Sequence, residues 1–348
     1  MEKLKELIVS LAGLMSVSGS ERYDKDALVG LVGPYFDEYE CDAIGNHIFV
    51  KRCGRENAPK ILVDAHFDEI GMLVTEIKEG GFLSVTSVGG LDTRIMQASE
   101  VMIYGKEKIY GVVASTPPHL QKPGDSKKLK KVEELLIDTG YSKEELEEIA
   151  PIGTPVGFAP VYTELLGGRL AGKGFDDKSC GACAVRGIAD AKREDLAGDV
   201  YFLFSSREEI GLVGGRTGAY AIDPDLAIVL DVNFAYTPNT KKEETLTLGE
   251  GPSVSFSAVT DYTFTRDIIA LAKEKEIKLQ TIVEATNTGT NGNVIGLTRH
   301  GVPSAVLSLP LKSMHTYNEV ISLDDAMELA SLVREIVTCK KIGEERAR

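Results

Sequence analysis

The chain has 348 residues, 43% hydrophobic and 26% charged, a composition that excludes a disordered or membrane-embedded protein and is long enough that two domains are expected. A formal net charge of −14 argues against nucleic acid as a partner. Cys41, Cys53, Cys180, Cys183 and Cys339 are an odd set without dense spacing, which argues against a disulfide framework, and the lone C-x-x-C of Cys180 and Cys183 has no second pair to complete a structural zinc site.

Leu4, Leu7, Ile8, Leu11, Leu14 and Met15 fall at helical spacing, and Glu2 and Glu6 interrupt the basic residues before them, so an amphipathic opening helix is expected and not a signal peptide. No apolar run is long enough to span a membrane, and a cytoplasmic, reducing location is expected. A turn-rich stretch, Ser16 to Ser20, leads to a second helix over Glu21 to Tyr35. Two short strands hinged at Gly45-Asn46 follow. Ile61 to Ala65 reads as a buried strand that delivers His66 and Asp68 at its end, a metal-ligand type with a carboxylate close by to orient it.

From Gly71 the texture changes. Met72 to Ile77, Phe82 to Val88, Val101 to Tyr104 and Ile109 to Ala114 are short strands between glycine-rich turns, the pattern of a small β-barrel or sandwich. Pro117 to Asp125 reads as a loop and the Lys127 to Lys131 run as a solvated face. Helices are expected over Lys127 to Ile137 and Ser142 to Ile149, the second opened by a capping box at Ser142 and Glu145. Residues 71–162 are therefore expected to form a β-rich domain inserted into a domain of residues 1–70 and 163–348.

Asp176 and Asp177 precede a helix of small residues, Ser179 to Lys192, where an aspartate serves equally well as a cap. Val200 to Phe204 is a buried strand with Glu208 and Glu209 just beyond it; neighbouring carboxylates repel unless something positive separates their roles. A helix over Gly214 to Ile222 precedes the apolar strand Leu226 to Val232, which contains Asp231, a costly placement for an unpaired carboxylate. A helix from Tyr262 to Lys275, a strand from Ile277 to Val283 and a helix from Val294 to Arg299 follow. The strand Ser304 to Leu309 leads to His315, the helix Asp324 to Cys339 closes the fold, and the charged tail Glu344 to Arg348 is expected to fray.

Each strand end is a weak signal alone. Together they predict an α/β fold, a mixed sheet flanked by helices with an inserted small β-barrel, in which two histidines and several carboxylates meet beyond the strand ends, where open sheets build their sites. Such a donor set suits two divalent ions sharing an aspartate, zinc foremost.

Ser16-Val-Ser-Gly-Ser-Glu21, Ala65-His-Phe-Asp-Glu-Ile-Gly71, Gly89-Gly-Leu-Asp92, Gly174-Phe-Asp-Asp177, Arg207-Glu-Glu-Ile-Gly211, Asp231 and Met314-His315 with Glu319 occur in this order along nearly the whole chain. In this the chain resembles the tetrahedral aminopeptidases, dinuclear metallopeptidases with a zinc-peptidase-like catalytic domain. The resemblance implies that His66 and Asp231 bind one metal and Glu209 and His315 the other, with Asp176 bridging. It implies that Glu208 is the general base, taking a proton from a bridging metal-bound water, and that Asp68 orients His66, leaving Asp177 outside the ligand set. It further implies two zinc or cobalt ions per subunit, short peptides cleaved at the amino end, and a homo-oligomer, in this family often a hollow tetrahedral dodecamer. The chain departs from the family pattern at two places: Asn291 and Gly292 stand where Asp-Ala is usual, and Lys178 where Arg is usual. The first leaves the metal set intact and puts the substrate pocket in question, so no specificity is assigned. A related di-zinc carboxypeptidase or deacylase shares this ligand logic. A glycoside hydrolase is disfavoured by the absence of tryptophan, and a catalytically silent binding protein by the complete set of ligand and base positions.

Overall fold

Strands that are apolar on both faces are stable only where helices cover both sides of a sheet. In the computed structural model, which describes residues 1–120 and 129–342, four such segments lie side by side and parallel in the order Asp199–Ser205, Lys60–His66, Leu226–Phe234, Ser304–Leu311. Antiparallel His47–Lys51 and then Glu38–Cys41 extend one edge; antiparallel Ser253–Ser257 and then Gln280–Glu284 extend the other, giving an eight-stranded mixed sheet. Alternate residues feed two cores, as the period of two requires. Ile61, Val63, Ala65, Phe202 and Phe204 pack with the helices Glu2–Ala12, Phe175–Asp190 and Leu323–Thr338. Leu62, Leu203, Ala227, Val229 and Val306 pack with Ala219 and Ile222 of the helix Val213–Ile222 and with Ile295.

The helix Phe175–Asp190 is rich in small residues because it is hemmed in. A Cβ on Gly181 would lie 2.1 Å from the Phe204 ring, and one on Gly187 would lie 2.4 Å from the carbonyl of Ala330. Cys180 and Cys183 are fully buried free thiols on this helix. Asp176 and Asp177 sit at a kink ahead of its regular turns, both with non-helical dihedrals (ψ 106° and 19°), so the helix proper starts close to Ser179 as expected.

Six further strands, Gly71–Lys78, Phe82–Val88, Leu136–Asp138, Lys108–Val113, Glu100–Tyr104 and Pro155–Phe158, close into a barrel with its own core of Met72, Val85, Ile103, Ile137 and neighbours. This bears out the mixed α/β fold with a small barrel. The helix expected over Lys127 to Ile137 is not found where it can be tested: Val132–Glu134 is one 3-10 turn and Leu136–Asp138 is a strand. Pairing with Phe82–Ser84 and with Val112 and Val113 overrides the helical composition. Residues 129–131 and Leu135 are not helical either, and Lys127 and Lys128, most of the Pro117 to Asp125 loop and the Glu344 to Arg348 tail lie outside the described residues. The second helix starts at Lys25, later than expected. Among the described residues no helix is long and apolar enough to cross a membrane.

Two buried polar clusters brace the sheet. Glu69, between the His66 strand and the barrel, receives Lys173 at 2.7 Å and Lys178 at 3.3 Å, all three buried. Breaking such a cluster leaves an uncompensated charge inside, so the three residues constrain one another. His47 is held as the neutral imidazole: Tyr39 Oη donates to Nδ1 (2.9 Å) and Nε2 donates to the Glu21 carbonyl (3.0 Å).

Burial pushes the His47 pKa down to about 4. The unfolded residue binds its proton near pH 6.5, so the stability from neutral His47 is complete above that value and is lost as pH falls toward 4. Between pH 7 and pH 5 the native chain is expected to lose about 2 kcal/mol more stability than His47→Gln, read from urea midpoints. Equal losses in the two proteins would refute the assignment.

Candidate metal centre

Register decides which side chains meet. Ser205 pairs with His66 and Val229 with Asp64, so Asp231 is level with His66, and the Glu208-Glu209 turn begins just past the same edge. Ser308 pairs with Asp231, and the chain beyond Leu311 returns His315 to that edge. Gly174, at φ +67, and the kinked, non-helical entry to the helix Phe175–Asp190 bring in Asp176.

Asp176 lies between the two histidines. His66 Nε2 is 3.0 Å from its Oδ1 and His315 Nε2 is 3.4 Å from its Oδ2. Asp231 Oδ1 is 3.8 Å from His66 Nε2, and Glu209 Oε2 is 3.3 Å from His315 Nε2. The ligand atoms of His66, Asp176 and Asp231 form one compact group, and those of Asp176, Glu209 and His315 form a second, each within 4.8 Å. His66 Nδ1 donates to the main-chain carbonyl of Asp68 at 2.9 Å, so Nε2 is the nitrogen turned to the carboxylates; it donates to Asp176 here and would offer a lone pair once a cation displaced that proton. Asp177 turns away, its carboxylate accepting the His66 main-chain N–H at 3.2 Å.

Asp68 does more than its place beside His66 suggests. Its carboxylate is 3.7 Å from His66 Nδ1, and it accepts the main-chain N–H groups of Glu208 (2.9 Å) and Glu209 (3.2 Å) as well as the Ser18 hydroxyl. It therefore sets the turn that presents both glutamates. Glu319 does the same on the opposite side, a role the sequence did not reveal. Its buried carboxylate accepts from the N–H of Phe175 (2.8 Å), Asp176 (3.2 Å) and His315 (3.2 Å).

The electrostatics follow from packing so many acids together. Burial, then the charges of Asp68, Glu209 and Asp176, pushes Glu208 up to about 8. Burial also raises Glu209 and Asp231, the second strongly. Hydrogen bonds from His315 and His66 outweigh burial and hold Asp176 well below the usual carboxylate range. Hydrogen bonds to Asp176 and Glu209 raise His315 to about 11. The cluster holds protons that a divalent cation would displace. Imidazole nitrogen and carboxylate oxygen without thiolate is a donor set that zinc and its borderline neighbours accept.

A cavity of about 860 Å3 opens over the cluster, lined on one side by His66, Asp176, Glu208, Glu209, Asp231 and His315. Thr288, Gly289 and Thr290 reach it and Asn291 does not. Asn291 is buried beneath, its amide donating to Asp64 (2.9 Å) and to the Ser205 hydroxyl (2.8 Å). The departure at Asn291 thus lies beneath the cavity, while the residues just before it line the cavity.

A family model described as M42 glutamyl aminopeptidase matches residues 45–332. The lysyl aminopeptidase of Pyrococcus furiosus is 34% identical, covering 95% of this chain and 96% of that protein. The structure of a TET aminopeptidase from a marine sediment Thaumarchaeota archaeon is 30% identical, with a TM-score of 0.89 over 97% of this chain and 96% of that one. The TET1 peptidase of Pyrococcus horikoshii, which can assemble into a tetrahedron or a large octahedral shell, is 29% identical, with a TM-score of 0.84 over 96% of this chain and 99% of that one.

Removing the Glu319 carboxylate strands three main-chain donors at once. Glu319→Ala is expected to lower stability by about 3–5 kcal/mol and Glu319→Gln by roughly half as much, measured by urea unfolding of the metal-free protein. A loss below about 1 kcal/mol in the alanine variant would show that solvent replaces the carboxylate.

Proposed function

The chain belongs to the M42 glutamyl aminopeptidase family, and from that premise we propose that it is a dinuclear metallo-aminopeptidase releasing N-terminal residues from short peptides. The observation that supports this best is Asp176, whose two oxygens face two different histidines at 3.0 and 3.4 Å. His66 and Asp231 would hold one divalent ion, Glu209 and His315 the other, and Asp176 would be shared. Zinc or cobalt bound there would supply Lewis acidity, making a water more acidic and the scissile carbonyl more electrophilic.

The protein's own groups do the rest. Glu208 stands beside these ligands without belonging to either group of ligand atoms, and acts as the general base. It takes the proton of the attacking water and delivers it to the departing amine. Asp68 positions Glu208 and Glu209 through their N–H groups and orients His66 through its own carbonyl. The carboxylates facing the cavity also suit the positive charge of a free α-amine. No lysine or arginine is among the described residues lining the cavity, so no side-chain cation of that kind would pair with a C-terminal carboxylate there, which weighs against a carboxypeptidase.

We further propose that the barrel is an inserted domain of residues 71–162, carried by a catalytic domain of residues 1–70 and 163–348. The protein is read as a cytoplasmic homo-oligomer, with a tetrahedral dodecamer as the arrangement to test.

The test is hydrolysis of aminoacyl anilides and short peptides by stripped and by zinc- or cobalt-loaded protein. Release of N-terminal residues is expected only after loading, with two ions bound per chain. Glu208→Gln is expected to retain both ions and lose about 10²–10⁴-fold in kcat. If loaded, folded protein binds two ions and releases no N-terminal residue, the reading fails.

A further inference from the structure

None of Ser16 to Glu21 lines the cavity, yet this segment touches the turn that carries Glu208. It runs beside the strand end that bears His66: Ser18 N–H donates to the Glu69 carbonyl (3.1 Å) and Glu69 N–H to the Ser16 carbonyl (3.0 Å). Glu21 is buried, only 1% exposed. Its Oε1 accepts from the Gly19 N–H at 2.8 Å and, across 186 residues of sequence, from the Arg207 N–H at 3.0 Å. Its main-chain carbonyl is held in turn by His47 Nε2 at 3.0 Å.

Arg207 is the residue on which the turn bends. Its φ is +55, a left-handed conformation that a side chain makes costly and that persists only where the surroundings over-determine it. Four successive main-chain donors are met by side-chain oxygens. Ser206 N–H goes to Asn46 Oδ1 (2.9 Å), Arg207 N–H to Glu21, and the N–H groups of Glu208 and Glu209 to Asp68 (2.9 and 3.2 Å). The Glu21 contact is the one that falls on the strained residue. Without it Arg207 is free to relax to negative φ, which turns the peptide between Arg207 and Glu208 and draws the Glu208 N–H away from Asp68. The side chain that moves with that peptide is the base. Burial, then the charge of Asp68, raises the Glu21 carboxyl to about 7. The contact needs an oxygen and not a charge, so an amide of the same length supplies it.

We propose that Glu21 is a positioning residue of the reaction, fixing the stance of the Glu208 carboxylate through the Arg207 N–H. The proposal rests on the aminopeptidase reading and deepens it. Glu208 takes the proton of the water only from within hydrogen-bond reach, and a misplacement of about 1 Å costs on the order of a hundredfold. The competing role is structural, in which Glu21 does no more than pin the N-terminal segment through Gly19.

The experiment compares Glu21→Gln, Glu21→Asp and Glu21→Ala with the native chain, each also in the Glu208→Gln background, using zinc- or cobalt-loaded protein and aminoacyl p-nitroanilides. Glu21→Asp draws the acceptor back by one methylene and Glu21→Ala removes it. Both are expected to bind two ions and to lose about 10–100-fold in kcat with KM changed by less than about threefold, while Glu21→Gln keeps kcat within about threefold of native. In the Glu208→Gln background the same substitutions are expected to cost less than about threefold, because the group they misplace is gone. In the metal-free protein, hydrogen exchange of the peptide carrying Arg207 is expected to quicken about tenfold or more in Glu21→Asp and Glu21→Ala and not in Glu21→Gln, with the strand Leu226–Phe234 still protected. Equal losses of kcat in the two backgrounds overturn the proposal and leave N-terminal release standing. So does a loss in Glu21→Gln as large as in Glu21→Asp, or unaltered exchange at Arg207. Should Glu21→Ala fail to fold, the contrast between Glu21→Asp and Glu21→Gln decides alone. No release from any substrate by loaded, folded native protein overturns both readings.

Discussion

Carboxylates do not crowd together inside a protein unless each finds a donor or a cation, and that constraint organises this structure. The buried acids divide by how they meet it. Asp68 and Glu319 accept two or more main-chain N–H groups each, so the fold itself satisfies them, while Asp177 accepts one through Oδ2 and buries its Oδ1 without a hydrogen-bond partner. Asp176, Glu208, Glu209 and Asp231 face the cavity, where most of what surrounds them is other carboxylates and the imidazoles of His66 and His315. The first set builds the turns on which the second set stands. Acids of the first set are positional; those of the second face His66, His315 and one another, where a cation could bind.

The two units of the structure meet through the same logic. The chain leaves the sheet just after His66, makes the barrel and returns just before Asp176. Glu69 stands at the departure and Lys173 and Lys178 at the return, in one buried ion cluster. The barrel also reaches the site directly. A Cβ on Gly90 would lie 3.2 Å from His315 Nδ1, so only a glycine lets that loop close over the histidine without pushing it. An error in how the barrel seats would displace His66, Asp176 and His315 together.

The sheet was legible because its central strands are buried on both faces and read as unbroken apolar runs. The convergence of His66, Asp176, Glu208, Glu209, Asp231 and His315 was legible because a parallel sheet sends all its strand ends to one edge. Other features leave no such trace. Glu319 looks like any acid ahead of a strand, and its function as a main-chain acceptor depends on two loops far apart in sequence. Glu284 sits on an edge strand whose alternating exposure hides which side chains turn toward the site. The segment Val132 to Asp138 has the lysine, glutamate and leucine content of a helix, and only closure of the barrel makes part of it a strand.

Asn291 shows how a departure at one position changes meaning once its surroundings are known. In this chain its amide meets Asp64, a fully buried carboxylate that burial raises to about 7, directly beneath the strand end that bears His66. An aspartate at position 291 would face Asp64 across the same contact, and one of the two would have to keep a proton. The amide donates without adding charge, so it lowers the count of acids in the layer below the site by one. Its effect is on the field under His66, while the cavity wall itself is lined by other residues, Phe234, Glu243, Val283 and Glu284 among them. The tolerance of the site for its own buried charge is therefore to be sought at Asn291, in the layer beneath the cavity and not on its wall.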